Sequence, residues 1–317
     1  MNIAGFMRQG KYRMSCEDRQ KSFTDLAEEF HDEKNRILPA TLYLVATPIG
    51  NLEDLSARAL KVLRGVDFIA AEDTRNSAKL LHLFDIQKPL ISYFEHNKRM
   101  RGEWIVKRLQ NGESCALVTD AGTPAISDPG EDLVRLCRES NIPVYSIPGA
   151  SAVITALSVS ALPTSRFAFE GFLPVGNTER RQRLNEIRSL RHTIVLYEAP
   201  HRLKKTLEDL YAVLGDRLIA ICRELTKLNE EVKRLPLSEA VSFYENTEPR
   251  GEYVLVVCGA SDEDLKKEAF WSEMDEREHM EYYTALGMRK NDAIKAVARD
   301  RNLPKSEVYN RLCRSEK

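Results

Sequence analysis

From Thr41 onward the chain alternates short apolar runs with longer segments in which apolar residues recur every three or four positions. The short runs read as buried strands and the longer segments as amphipathic helices. Strands are expected at 42–46, 66–71, 90–93, 115–119 and 144–147, with helices at 56–63, 76–84, 101–109, 131–139 and 151–159. Helical crossovers between successive strands imply right-handed connections and a largely parallel sheet, the signature of an α/β fold. The stretch Ala161-Leu162-Pro163-Thr164 interrupts the alternation and sets the expected domain boundary near residue 163. Strands then follow at 167–172, 193–197, 218–223 and 253–258, with helices at 177–190, 201–214 and 237–244, which reads as a smaller α/β layer with a mixed sheet. Past Ala260 the chain turns charged and helical. Ala293, Ile294, Val297 and Ala298 fall on one face of a helix over 291–300, Leu303-Pro304 breaks it, and 305–312 restarts, a helix-turn-helix-like pattern. The organisation expected is an extension over 1–40, α/β domains over 41–163 and 164–260, and a helical module over 261–317.

The chain is organised around ALVTDAGTPAISDPG, residues 116–130. A buried strand there empties into a loop stiffened by Pro124 and Pro129, with Gly122 and Gly130 permitting close backbone approach. Ligands of open α/β sheets bind beyond such strand ends. Two similar strand ends, Thr47-Pro48-Ile49-Gly50-Asn51 and Ile147-Pro148-Gly149-Ala150-Ser151, make three such loops in one half of the chain. One is an ordinary strand-to-helix connection; three look like the rim of a site.

Composition narrows the function class. The 317 residues carry a formal net charge of −1, so nucleic-acid binding would need a local patch rather than bulk basicity. Such a patch exists in the tail, where Arg289, Lys290, Lys295, Arg299, Arg301, Lys305, Arg311 and Arg314 cluster; a solvated helical cap explains it equally well. The six cysteines are scattered without a CxxC pair, which argues against a zinc site and a disulfide framework and for a reducing cytoplasm. No stretch is apolar enough for a membrane helix. Residues 1–40 lack periodicity, carry acids and have no apolar signal segment, so a disordered extension is expected, with Met7 and Met14 as further possible starts.

The rim loops contain neither GxGxxG nor a GKS or GKT loop, which disfavours a dinucleotide or kinase-like phosphate site. A GxSxG elbow and an HExxH pair are also missing. What remains is polar clusters at successive strand ends: Glu72-Asp73-Thr74-Arg75, Tyr93-Phe94-Glu95-His96-Asn97, Glu198-Ala199-Pro200-His201-Arg202, Arg223-Glu224-Leu225-Thr226-Lys227 and Pro249-Arg250-Gly251-Glu252-Tyr253. Any one of them reads as helix capping or an ion-pair cluster. Their recurrence in both domains favours a small-molecule enzyme or a nucleic-acid modifier.

LYLVATPIGNLEDLSARA, AAEDTRNSAKLL, SYFEHN, LVTDAGTPAISDPG, IPGASAVITAL, FEGFLP, YEAPHRL, CRELTK and PRGEYVLVV resemble, in order and spacing, the bacterial ribosomal RNA small-subunit methyltransferase I family. That family belongs to the tetrapyrrole-methylase-like (class III) S-adenosylmethionine-dependent methyltransferases. The match runs from about Leu42 to Gly259, and the ending GMRKNDAIKAVARDRNLPKSEVYNRL is similar to the family's C-terminal module.

The resemblance implies a two-domain class III fold with S-adenosylmethionine in the cleft between the domains. It implies cofactor contacts from Thr123, Ala125 and Ile126, from Ser151 and Ala152 in a second loop, and from Phe172, Leu225 and Gly251 in the second domain. Thr123 stands where many relatives have aspartate. The Thr47–Asn51 loop, lacking the superfamily's first glycine and acid, is expected on the substrate side. The implied reaction is methyl transfer to the ribose 2′-oxygen of a decoding-region cytidine, nucleotide 1402 of 16S ribosomal RNA. A positioned base would help a protonated hydroxyl, and Glu72, Asp73, His96 and Glu198 are the candidates. Arg75, Arg202, Arg223 and Lys227 are candidates for RNA phosphate contacts, with interdomain salt bridges as the alternative. The implied partner is 16S ribosomal RNA within the small ribosomal subunit, the implied assembly a homodimer, and the compartment cytoplasmic. The rivals are a class III enzyme acting on a small tetrapyrrole and a non-catalytic RNA-binding assembly factor.

Overall fold

The computed structural model describes residues 36–268, 271, 273–301 and 303–314. Its chain divides into two compact units between Ala152 and Val153.

The first unit is built on a five-stranded sheet of β1 (Leu42–Val45), β2 (Phe68–Ala71), β3 (Leu90–Ser92), β4 (Cys115–Val118) and β5 (Val144–Ile147). Their order is β3-β2-β4-β1-β5, and every pairing is parallel. The glycine-rich run thus follows the middle strand, β4, which is buried on both faces. Alternation along the strands sends side chains into two separate layers. Tyr43, Val45, Ile69, Ala71, Ala116 and Val118 meet α1 (Ala57–Gly65) and α2 (Thr74–Leu83). Leu42, Phe68, Ala70, Cys115 and Leu117 meet α3 (Lys98–Gln110) and α4 (Gly130–Glu139). The result is the helix–sheet–helix sandwich that two-sided apolar strands require. Helix starts follow local chemistry: the Ser56 hydroxyl accepts the Ala59 N–H at 3.1 Å, and the Asp73 carboxylate accepts that of Arg75 at 2.8 Å.

Of the extension expected over 1–40, residues 1–35 lie outside the described residues. Ile37 packs beside the α1 cluster, over Gly65, and the Leu38 N–H donates to the Tyr43 hydroxyl at 2.8 Å.

The second unit opens with α5, whose bounds are Ala152–Val159, and continues through β6 (Phe167–Phe172), α6 (Asn177–Arg188), β7 (Thr193–Glu198), α7 (Pro200–Leu214), β8 (Leu218–Arg223), β9 (Glu231–Pro236), α8 (Leu237–Glu245) and β10 (Tyr253–Val257). The strand order is β6-β7-β10-β8-β9; β6 and β7 pair in parallel and the rest antiparallel. Leu184 and Ile187 of α6, Leu203, Leu207, Leu210 and Leu214 of α7, and Leu237, Ala240 and Tyr244 of α8 cover one face of this mixed sheet. The strand β9 has no counterpart in the sequence reading. Its residues EVKRLP lie at the sheet edge and are half-exposed, so no apolar run marks them. Charged residues and a terminal proline suit an edge that must not recruit further strands.

The tail holds α9 (Asp262–Glu268), α10 (Glu276–Ala285), α11 (Lys290–Asp300) and α12 (Lys305–Arg314). The two helices expected from the Leu303-Pro304 break are α11 and α12. The structure adds α10, started by a capping box of Asp275 and Glu278, and the three share a core of Tyr283, Ala293, Ile294, Val297, Val308 and Leu312. His279 is fully buried there, stacked on Trp271 with ring centroids 5.4 Å apart.

Candidate active site

All five strands of the first sheet are parallel, so the loops after them gather at one edge. Three are fastened into one body. Thr47 and Gly122 exchange main-chain hydrogen bonds of 2.9 and 3.0 Å, and the Thr47 hydroxyl donates to the Thr119 carbonyl at 3.2 Å. The Thr123 hydroxyl donates to the Ala150 carbonyl at 3.0 Å. A Cβ on Gly149 would stand 2.8 Å from the Ala46 Cβ, so the loop after β5 lies flush against that after β1. Within the central loop Gly122, Ala125 and Ser127 adopt left-handed φ of +82, +66 and +65°. For Ala125 and Ser127 this is strain that neighbours must hold. Asp128 holds it: its carboxylate accepts the main-chain N–H of Ala125 at 3.0 Å, Ile126 at 3.3 Å and Gly130 at 2.7 Å. Ile126, half-exposed, and Thr123 and Ala125, partly exposed, are displayed on this fixed loop.

Beside it, Glu72 follows β2 and accepts the Thr119 hydroxyl at 2.7 Å. Asp73 caps α2 and is paired with the mostly exposed Arg75 at 2.7 Å. Hydrogen bonds from the Arg75 guanidinium and N–H hold the Asp73 carboxyl down at about 2. His96 is exposed in the loop before α3, its ring 6.0 Å from that of Phe94. A small cavity of about 190 Å³ at this edge is lined by Thr47, Pro48, Gly50, Ser77, Thr119 and Asp120.

In the second unit the register places Phe172 beside Tyr197, Glu198 opposite Tyr253, and Tyr253 opposite Arg223, which in turn faces Glu231. The candidates drawn from this half of the sequence therefore share one sheet edge. Phe172 is half-exposed, its ring 5.6 Å from Tyr197. Glu198 is buried, accepting from the Ala199 N–H at 2.9 Å and from the Thr206 hydroxyl, with Arg202 Nε at 3.5 Å. Arg180, also buried, continues this network to Thr206 and Asp209, each at 2.7 Å. Arg223 faces Glu231 at 3.4 Å.

The loop after β8 is equally constrained. Glu224 and Thr226 have φ of +51 and +66°, and between them Leu225 is buried. The Glu224 carboxylate accepts from Lys227 Nζ and from the Glu252 N–H, both at 2.9 Å. Burial alone would raise the Glu224 pKa, but these hydrogen bonds outweigh it and hold the group below its ordinary range. Lys227 also reaches Glu252 at 2.8 Å, and although burial lowers its pKa, the two acids raise it further. Gly251, at φ +84°, is pressed against Glu224, where a Cβ would come within 2.6 Å of the side chain.

Thus the four basic candidates Arg75, Arg202, Arg223 and Lys227 all pair with acids of their own unit. Asp128 was legible only as a loop residue. Its signal is the Asp-Pro-Gly order, in which an aspartate commonly bonds the backbone two residues on. The Arg180–Thr206–Asp209 network left no local signal, because its members lie on two helices.

The model of the family described as Tetrapyrrole (Corrin/Porphyrin) Methylases matches residues 41–241. The chain is 50% identical over 270 residues to the ribosomal RNA small subunit methyltransferase I of Halalkalibacterium halodurans, covering 85% of this chain and 93% of the relative. It is 46% identical over 270 residues to the protein of the same name from Bacillus subtilis, covering 85% and 92%. Among solved structures, uroporphyrin-III C-methyltransferase from Thermus thermophilus complexed with S-adenyl homocysteine shares the fold, with a TM-score of 0.51, 16% identity, and coverage of 69% of this chain and 97% of that one. The chain belongs to the tetrapyrrole methylase family and, within it, to the ribosomal RNA small subunit methyltransferase I family.

Proposed function

We propose that this protein transfers a methyl group from S-adenosylmethionine to the ribose 2′-oxygen of a decoding-region cytidine in 16S ribosomal RNA. The observation that carries this reading is near-full-length identity of 46–50% to relatives named for small-subunit ribosomal RNA methylation. The S-adenyl homocysteine of the uroporphyrin enzyme supports the choice of cofactor. Cofactor contacts are proposed for Thr123, Ala125, Ile126, Ser151 and Ala152 in the first unit, and for Phe172, Leu225 and Gly251 in the second. Their rigidity suits a site that must align a sulfonium methyl with an incoming oxygen. The cofactor supplies the electrophilic methyl group.

The chain's own task is to place the ribose hydroxyl and take its proton. We assign the base to Glu72 ahead of the other candidates. Its carboxylate, partly exposed, accepts from the Thr119 hydroxyl, which fixes its direction. Asp73 is a poor base at about 2 and is spent on Arg75, and Glu198 is enclosed by its own network. His96 stands second, exposed and on the same sheet edge. Arg75, the most exposed of the basic candidates, is the first choice for a phosphate contact, since an exposed ion pair yields readily to a phosphodiester. Arg202, Arg223 and Lys227 follow. The working form is taken as a cytoplasmic homodimer acting on the small ribosomal subunit.

The test is tritium transfer from labelled S-adenosylmethionine to small ribosomal subunits from a strain lacking the gene, with the labelled nucleotide mapped. Label on the ribose of a decoding-region cytidine is expected, and Glu72→Gln should abolish it while cofactor binding persists. Label on a precorrin-type substrate and none on RNA would replace this reading with the small-molecule one. Absence of cofactor binding would favour an assembly factor.

A further inference from the structure

The second unit contains a cavity of about 430 Å³ whose lining includes Phe172, Pro174, Val175, His201, Arg202 and Lys205. Its volume falls in the range of pockets that hold nucleotide-sized ligands. Floor and mouth differ in chemistry. On the floor, Arg180 is spent on Asp209 and Thr206, and Arg202 on Glu198 and the Leu173 carbonyl. Both guanidiniums are paired within the unit and help shape the cavity. At the mouth, His201 and Lys205 are exposed one turn apart on α7. Among the described residues, Lys205 meets only the neutral Asn177 side-chain oxygen, at 3.4 Å, and no carboxylate. The same lining carries Phe172, 52% exposed, and Val175, 81% exposed. Exposed apolar surface sharing one cavity with an unneutralised cation suits unpaired RNA, base against apolar side chain and phosphate against ammonium.

We propose that this cavity is a subsite for a nucleotide flanking the methylated one, with Lys205 and His201 contacting its phosphodiester and the apolar Val175 wall contacting its base. The proposal rests on the RNA reading above and adds Lys205, His201 and Val175, which that reading does not include. A free inorganic anion would need the cation but not the apolar wall.

The test uses the full chain and a short single-stranded oligoribonucleotide matching the methylated segment, with affinity measured by fluorescence anisotropy over a series of salt concentrations. Lys205→Ala should weaken binding about tenfold and flatten the slope of log affinity against log salt by about 0.7, the loss of one phosphate contact. His201→Ala should weaken binding as well, and Lys205→Arg should keep the wild-type slope. Calorimetric affinity for S-adenosylmethionine should be unchanged in all three, because Phe172 is left intact. Wild-type slope and affinity in both alanine variants would overturn the proposal. Inorganic phosphate is titrated in parallel: Lys205-dependent phosphate binding with an unchanged RNA slope would assign the cavity to a free anion and overturn it too. Failure of the function reading is seen separately, as absence of methyl transfer by the wild type.

Discussion

Asp128 Oδ1 accepts the main-chain N–H of Gly130 at 2.7 Å and so closes the loop between β4 and α4. A Cβ on Gly130 would meet that same oxygen at 2.7 Å and Leu117 Cδ2 at 2.9 Å, so position 130 is restricted to glycine. With Asp128→Ala, the Ala125 and Gly130 amides lose their acceptor while Ala125 and Ser127 keep their left-handed strain. The cost should be about 1–3 kcal/mol. Affinity for S-adenosylmethionine should fall by at least about tenfold, the equivalent of 1.4 kcal/mol. Calorimetry and thermal melts of the same variant check both; wild-type affinity would show that Asp128 does not organise a loop that binds the cofactor.

Gly251→Ala combines two penalties, a left-handed φ of +84° and a Cβ 2.6 Å from the Glu224 side chain. Gly112→Ala carries the first alone, since its φ is +95° but nothing lies within 4 Å of the added carbon. The expected destabilisation is about 1–2 kcal/mol for Gly112→Ala and at least about 1 kcal/mol more for Gly251→Ala. Denaturant unfolding of the two variants side by side measures the difference, and equal values would mean that the Glu224 side chain moves aside freely.

Glu198→Ala removes a buried carboxylate and strands the Thr206 hydroxyl, the Ala199 N–H and Arg202. Loss of one partner from such a network should cost about 3–5 kcal/mol, whereas Glu198→Gln, which keeps an acceptor oxygen, should cost less. A stable Glu198→Ala protein that has lost only methyl transfer would instead return Glu198 to the role of base.

His279 is buried between Trp271 and Tyr283, and Arg301 Nε donates to its Nδ1 at 3.3 Å. That contact requires an unprotonated Nδ1 and leaves Nε2 as the N–H facing Asp300, 3.3 Å away. Burial, then the Arg301 charge, lower its pKa below the ordinary 6.5, against the raising influence of Asp300. The unfolded chain therefore binds this proton more readily than the folded one. The stabilising contribution is present above about pH 6.5 and is lost as pH falls from there towards the depressed folded value. In a Trp104→Phe background, where Trp271 is the remaining tryptophan, its fluorescence should report melting of the helical tail at lower denaturant at pH 5.5 than at pH 7.5. His279→Gln should flatten that difference.

Much of this architecture was written in local pattern. The buried runs at β2 and β4 and the amphipathic spacing of α1 through α4 depend on neighbours three or four residues away, so periodicity reveals them and places the rim loops at one sheet edge. The ordered set of motifs from Leu42 to Gly259 carried the family. Three things needed the folded chain. The strand β9 forms because β8 offers it an edge, so its six residues carry no apolar signature. Asp73 and Glu198 look alike as acids at strand ends, yet one caps a helix and pairs with the exposed Arg75, and the other is enclosed by Thr206, Ala199 and Arg202. The pairing of Arg75, Arg202, Arg223 and Lys227 within their own units was equally invisible. Hydrophobic period is a property of consecutive residues, whereas the solvation and hydrogen bonding of a charged side chain depend on which distant residues the fold brings against it.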